Sequence, residues 1–358
     1  MIEQEHERRY GLPELLATFA GGGSLVLAEI IDAAGSTPQV PGAWAVFSSR
    51  RLEAGTVGGG IVEGRVHDVA RLCLADGRSR LVDFQLDADP ADREGAICGG
   101  TLTVIVDPAA DKARPAFEAA AASLKKREQG LLLASIVPLA DGDAAVDREW
   151  LAAADADRAA SPLLEKLRPG DLRAVIDSGR PRFFKLDDGG VFARPVLPLP
   201  RLIVAGAGHV GRAVAHLGRL LDFEVTVIDD RPEFANRDNI PDADNVVAAD
   251  IAASLSAAGG SPDDYYVIVT RGHENDAAAL RACIKRPAAY IGMIGSRSKI
   301  AVMRSEFLAN GWATGDEWDL VHTPIGIAIR SQTVEEIAVS IAAELVLVRA
   351  GHNLEAGP

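Results

Sequence analysis

A short apolar strand, Leu202-Ile-Val-Ala-Gly206, runs directly into Gly206-Ala-Gly208-His209-Val-Gly211, and an amphipathic stretch follows at once. In a strand–turn–helix, each glycine of this pattern has its own duty. The first permits the tight turn, the second lets an anionic ligand approach the backbone, and the third lets the helix pack on the strand. The helix N-terminus then presents unpaired N–H groups and a partial positive charge. Val210, Ala213, Val214, Leu217 and Leu221 share one face at spacings of three and four, which predicts a helix over about 211–221. Asp229 ends the next apolar run, where an acidic residue accepts hydrogen bonds from a ribose hydroxyl. Asp230 beside it is the alternative partner.

The surrounding pattern agrees with this start. EVTVID from Glu224, NVVAA from Asn245, YYVIVT from Tyr265 and AYIGMIG from Ala289 alternate with longer amphipathic stretches, and a weaker sixth run, LVHT, begins at Leu320. Apolar strands separated by helices read as βαβ units in a parallel sheet covered on both faces. Thr333 and Glu336 form a Thr-x-x-Glu capping box for a last helix. The proline-rich stretch Arg194-Pro-Val-Leu-Pro-Leu-Pro200 can continue neither a helix nor a central strand, so it marks a boundary. The expected architecture is α/β: an N-terminal mixed α/β domain over 1–198, then a Rossmann-like doubly wound parallel sheet over 199–358.

The N-terminal half is less regular. Strands are expected at SLVLAEII from Ser24, AWAVFSS from Ala43, LVDFQL from Leu81, LTVIVDP from Leu102 and GLLLASIV from Gly130. Helices are expected through His67 to Ala75 and in the Ala-rich stretch after Pro115. Residues 138–162, rich in Ala and Asp, read as surface loop and helix.

A net charge of −14 argues against nucleic acid or an anionic membrane as the main partner, because both need a basic surface. No apolar run reaches the roughly 18 residues of a membrane span. The charged opening MIEQEHERRY has no leader-like apolar core. Cys73, Cys98 and Cys283 lie far apart, which suits a reducing compartment and gives neither a disulfide framework nor a zinc site. A cytoplasmic protein is the expectation. HExxH, CxxC and GxxxxGK[ST] patterns are absent, which removes several enzyme classes.

Four further segments carry chemistry. Thr270-Arg271-Gly-His273-Glu-Asn-Asp276 follows the fourth strand, where Arg271 can clamp a phosphate and His273 can titrate near neutral pH. The competing reading makes Asn275 or Asp276 a helix cap. Ser296 reads as an N-cap, with Arg297 and Lys299 on the same rim. Cys98, before Gly99 and Gly100, is either a thiolate that ligates a soft metal or carries sulfur, or a small packing residue. Gly58-Gly59-Gly60 with Glu63 is either a ligand loop or a tight turn.

In this order the motifs resemble the XdhC/CoxI family of molybdenum hydroxylase maturation factors. In the first half the resemblance rests on Gly35-Ser-Thr-Pro38, Pro41-Gly42, Thr56-Val-Gly-Gly-Gly-Ile-Val-Glu63 and Cys98-Gly-Gly100. In the second half it rests on Gly206 to Gly211, Val227-Ile-Asp-Asp-Arg231, Thr270-Arg-Gly-His273, Tyr290-Ile-Gly-Met-Ile-Gly-Ser-Arg297, Pro324-Ile-Gly326 and Glu335 to Glu344. The resemblance implies a cofactor chaperone rather than a turnover enzyme. Such a protein binds molybdenum cofactor (molybdopterin or its nucleotide form), assists its sulfuration and delivers it to a hydroxylase apoenzyme, with a cysteine desulfurase as sulfur-side partner. A homodimer is expected on general grounds alone, as the commonest assembly of soluble proteins. Cys98 then contacts the metal and acts with His273. The cofactor falls to Gly206, Gly208, His209, Gly211, Asp229, Arg271, Ser296, Arg297, Gly59, Gly60, Glu63, Gly99 and Gly100.

The chain departs at two places from the pattern of the family it resembles. Many members have Cys where Gly60 stands, and their usual run Leu-x-Ile-Gly-Ala is here Ile327-Ala-Ile-Arg-Ser331, with Arg330 in the place of glycine. A monophosphate pterin also has no ribose for Asp229 to hold. The rival reading is an NAD(P)-dependent oxidoreductase with His273 as proton donor, and a third is a ligand-sensing module on the same fold.

Overall fold

The protein is described by a computed structural model covering residues 11–86, 99–157 and 164–351. It divides into two compact units between Pro198 and Leu199.

In the first unit nine strands form one sheet: β1 (Val26–Ala34), β2 (Trp44–Phe47), β3 (Leu52–Gly55), β4 (Ser79–Gln85), β5 (Thr101–Asp107), β6 (Gly130–Pro138), β7 (Asp143–Ala152), β8 (Arg182–Leu186) and β9 (Gly189–Val196). Their order is β3-β2-β1-β5-β4-β7-β6-β9-β8, and every pairing is antiparallel. Helices α1 (Leu12–Ala20), α2 (Gly60–Asp76), α3 (Arg114–Lys125) and α4 (Asp171–Ser178) cover it.

The sheet curls on itself. Four strands separate β1 from β9 in the order, yet Glu29 on β1 lies 3.4 Å from Arg194 on β9. Ile31, Ile105, Ala134, Ile136, Ala144 and Phe192 share one core cluster drawn from β1, β5, β6, β7 and β9. Residues 143–152, read from sequence as loop and helix, are instead strand β7, paired with the whole of β6. The misreading has a physical source: its buried positions are Ala144 and Arg148, so an inward charge breaks the apolar alternation by which a strand is recognised.

The second unit contains β10 (Arg201–Ala205), α5 (His209–Leu220), β11 (Glu224–Asp229), β12 (Asn245–Ala248), α6 (Ile251–Ala257), β13 (Asp264–Ile268), α7 (His273–Cys283), β14 (Tyr290–Met293), α8 (Arg297–Ala309), α9 (Gly315–Asp319) and α10 (Val334–Arg349). The strands run parallel in the order β12-β11-β10-β13-β14. Separate apolar clusters cover the two faces of this sheet, as the continuous apolar character of its strands requires. This is the Rossmann arrangement, with the order reversing at β10.

The sixth run does not form a strand. Leu320 is left 76% exposed after α9, and His322 adds one parallel bridge to Gly292. Both halves of the capping box on α10 are made: Thr333 Oγ1 accepts the Glu336 N–H at 3.2 Å, and the Glu336 carboxylate accepts the Thr333 N–H at 3.1 Å. Thr333→Ala is therefore expected to lower stability by about 1 kcal/mol in denaturant unfolding. No described helix is long and apolar enough to cross a membrane.

Candidate functional site

The three glycines of the first turn differ in the way their spacing predicts. Gly206 has φ +117°, and a Cβ there would stand 2.6 Å from the Val269 carbonyl oxygen. At Gly211 a Cβ would run into the Gly206 carbonyl, so this glycine lets α5 seat on β10. At Gly208, the N-cap of α5, a Cβ would meet nothing within 4 Å. The turn is thus tight on its inner side and open where a ligand approaches. His209 begins α5 and is exposed.

Asp229 ends β11 beside this turn but is 2% exposed, and its oxygens are already engaged. They accept the Ala207 N–H at 2.8 Å, the Arg231 N–H at 3.0 Å, and the Arg231 Nε and Nη2 at 2.8 Å each. Arg231 in turn lies over the Phe234 ring, 4.0 Å from its centroid. Asp229 braces the glycine turn through Ala207, and a ribose hydroxyl could reach it only by displacing Arg231. Its exposed neighbour Asp230 is the freer carboxylate.

Burial pushes the Asp229 carboxyl up, but the Arg231 guanidinium and the two backbone N–H groups outweigh it and bring the pKa down to about 2. A depressed folded pKa contributes stability that is present above the unfolded value and lost as pH falls through the folded one. About 2 kcal/mol should therefore disappear between roughly pH 4 and pH 2, and Asp229→Asn should flatten that part of the stability–pH curve.

On the rim beyond β13 and β14, Asp276 is neither exposed nor a cap. Fully buried, it accepts the Thr270 hydroxyl at 2.5 Å and pairs with Lys299. The N-cap of α7 is Gly272, and Asn275 donates back to the Arg271 carbonyl at 3.2 Å. Lys299 is therefore withdrawn from the rim, whereas Arg271 and Arg297 are exposed. His273 Nε2 lies 3.3 Å from the Glu306 carboxylate. Ser296 caps α8 as expected, accepting the Lys299 N–H at 3.3 Å.

A buried polar cluster behind this rim is announced by no short sequence motif. Glu344 on α10 is 4% exposed. It accepts the Tyr290 hydroxyl at 2.5 Å and the Gly326 N–H at 2.8 Å, and His322 Nδ1 lies 3.2 Å from its other oxygen. The Tyr290 and His322 rings are 4.6 Å apart. Burial raises the Glu344 carboxyl, but His322, Tyr290 and the Gly326 N–H together hold it below the usual range. The cluster fixes the segment Pro324–Ser331, which walls a cavity of about 350 Å³ together with Ile294, Gly295, Arg297 and α10. The available signal was an acidic residue between Ile341 and Leu345 on the buried stripe of an amphipathic helix.

Arg330, at that cavity, has φ +63°, in the left-handed region that favours glycine. A glycine would adopt this conformation without strain. Arg330→Gly is expected to raise thermal stability by about 1 kcal/mol, since the relieved strain exceeds the added freedom of the unfolded chain.

In the first unit three glycine-bearing loops meet. A Cβ on Gly35 would touch the Gly100 Cα at 3.1 Å, and one on Gly58 would lie 2.7 Å from Pro38 Cγ. Gly99, Gly59 and Gly60 face open space, the last two at the start of α2. Glu63 closes this turn: its Oε1 accepts the Thr56 hydroxyl at 2.6 Å and the Gly59 N–H at 3.1 Å. Cys98 lies outside the described residues. Cys73 and Cys283 are buried packing residues, and burial pushes both thiols up, Cys283 to about 12. Among the described residues no group of three or more His, Cys, Asp or Glu could hold a metal ion.

Two family models match these regions: the XdhC Rossmann domain over residues 202–345, and the XdhC and CoxI family over 19–85. The chain belongs to the XdhC family. A probable xanthine dehydrogenase subunit of Bacillus subtilis (strain 168) is 27% identical over 335 residues, covering 90% of this chain and 93% of that protein. The uncharacterized protein YqeB of Escherichia coli (strain K12) is 24% identical over 324 residues, 90% of this chain but 43% of YqeB, so the chain spans less than half of that relative. A crystal structure of a xanthine dehydrogenase from Bacillus halodurans has the same fold, with TM-score 0.73 and 23% identity over 97% of this chain and 98% of that one.

Proposed function

We propose that this XdhC-family chain is a maturation factor for a xanthine-dehydrogenase-like molybdenum hydroxylase: it binds molybdenum cofactor, shields it during sulfuration and passes it to the apoenzyme. The observation that carries the reading is the turn at Gly206–Gly211, open at Gly208 at the head of a 12-residue helix, in a chain of this family. The fit is to the phosphate of the cofactor. Backbone N–H groups and the helix dipole favour a phosphate there, and a side chain at Gly208 would fill its place.

The cofactor, when bound, supplies a molybdenum centre held by its own dithiolene sulfurs. The chain's part is to grip the phosphate at the turn, to offer Arg271 as a second cationic contact, and to keep bulk water from the bound group. Cys98 is the proposed thiolate for the sulfuration step. His273, paired with Glu306, is the proposed proton carrier on the same rim as Arg271. The saturated Asp229 weighs against a ribose grip of the NAD(P) kind.

The test is coexpression with a molybdenum hydroxylase. Wild type should raise the fraction of active, sulfurated client, Cys98→Ala should not, and Gly208→Val should neither hold nor deliver cofactor. Full client activity with either variant would refute the corresponding role.

A further inference from the structure

The cavity at the edge of the Rossmann unit holds a pair of arginines that the phosphate turn does not use. Arg297, the first residue of α8, and Arg330 are its charged lining residues, and among the described residues no acidic one lines it. Ile294, Ile325, Ile327 and Ile337 give it apolar walls, and its volume of about 350 Å³ is that of a small-molecule site. Among the described residues neither guanidinium has a carboxylate within 4.0 Å. The neighbouring cation Lys299, by contrast, is paired with buried Asp276, and Glu344 behind the wall is engaged by Tyr290, His322 and Gly326.

The wall itself is fixed. Glu344 holds the Gly326 N–H, and the Ser340 hydroxyl donates to the Ile327 carbonyl at 2.6 Å. On this wall the chain carries an arginine in a backbone conformation that suits glycine, which brings the second guanidinium to the cavity.

We propose that this cavity is a second anion subsite, where Arg297 and Arg330 together hold a phosphate or carboxylate borne on an apolar or aromatic ring seated among the isoleucines. Two planar guanidiniums form charge-assisted, paired hydrogen bonds to such an oxyanion, and the isoleucine walls receive the ring that bears it. The site stands whether or not the glycine turn takes a molybdenum cofactor.

Calorimetric titration of the full chain with phenyl phosphate, benzoate and inorganic phosphate tests it. One of the two aromatic anions should bind more tightly than inorganic phosphate, and the tighter of the two identifies the oxyanion. Arg297→Ala and Arg330→Gly should each weaken that binding by about tenfold, the loss of one charge-assisted contact. Gly208→Val should leave the arginine-dependent part of the binding unchanged. Arg330→Gly is expected to be at least as stable as wild type, and equal or higher melting temperatures of the variant separate its loss of binding from unfolding. The proposal is overturned if neither aromatic anion binds at millimolar concentration. It is equally overturned if both arginine variants bind like wild type, or if Gly208→Val removes the binding while the arginine variants keep it.

Discussion

Replacing Arg148 by leucine should destabilise the N-terminal unit by about 3–5 kcal/mol, the usual cost of leaving buried charge uncompensated. Arg148 is 9% exposed and lies inside the curled sheet between two carboxylates, pairing closely with Asp107 and standing 3.8 Å from Glu29. Arg194, 5% exposed, is 3.4 Å from Glu29 on the other side. The four side chains come from β1, β5, β7 and β9 and balance to zero charge. Their hydrogen bonding is incomplete, because Arg148 Nε and Nη2 and Arg194 Nε have no hydrogen-bond partner among the described residues. Removing Arg148 leaves one arginine for two buried carboxylates. Denaturant unfolding should show a large fall in midpoint, and adding Asp107→Asn to Arg148→Leu should recover part of it. A loss under about 1 kcal/mol for the single variant would mean that the charges are solvated and the cluster is not a packed element of the fold.

Gly211→Ala should cost about 3 kcal/mol or more, at the upper end of overpacking effects, because its methyl group would collide with the Gly206 backbone rather than with a movable side chain. The whole of α5 would have to shift from β10, and Ala215, Val214 and Gly218 would lose their seat on the sheet. Gly208→Ala, three residues earlier in the same motif, should change stability by less than about 1 kcal/mol, since its methyl group meets open space. The contrast separates packing from binding within six residues. Equal destabilisation by the two substitutions would contradict the division of labour assigned to these glycines.

The Rossmann unit was legible because periodicity and turn chemistry agreed at each step. β10, the glycine turn, α5 and the capping box of α10 all depend on local spacing. What local spacing cannot carry is the destination of a polar side chain. Asp229 sits where its position in the motif puts it, yet whether its oxygens face a ligand or Arg231 is decided by a residue two places on and by the packing of Phe234. Asp276 and Lys299 looked like cap and rim residues, and tertiary contact joined them to each other. The Tyr290–His322–Glu344 cluster draws on segments 54 residues apart and follows no short pattern.

The N-terminal unit was harder because its sheet is antiparallel and curled, with charged residues turned inward. β7 reads as surface since Arg148 interrupts its apolar face. The loops bearing Gly35, Gly58 and Gly100 were recognisable one by one, whereas their meeting depends on β1, β5 and α2 being neighbours in space.

The central claim is that the turn at Gly206–Gly211 grips a phosphorylated cofactor. Native mass spectrometry of wild type and Gly208→Val, both purified from molybdenum-replete cells, tests it directly. Wild type should carry a mass increment matching a molybdenum-bearing pterin phosphate or its nucleotide form, and Gly208→Val, equally folded, should lack it. Equal occupancy in the two proteins, or NAD(P) in place of the pterin, would contradict the account.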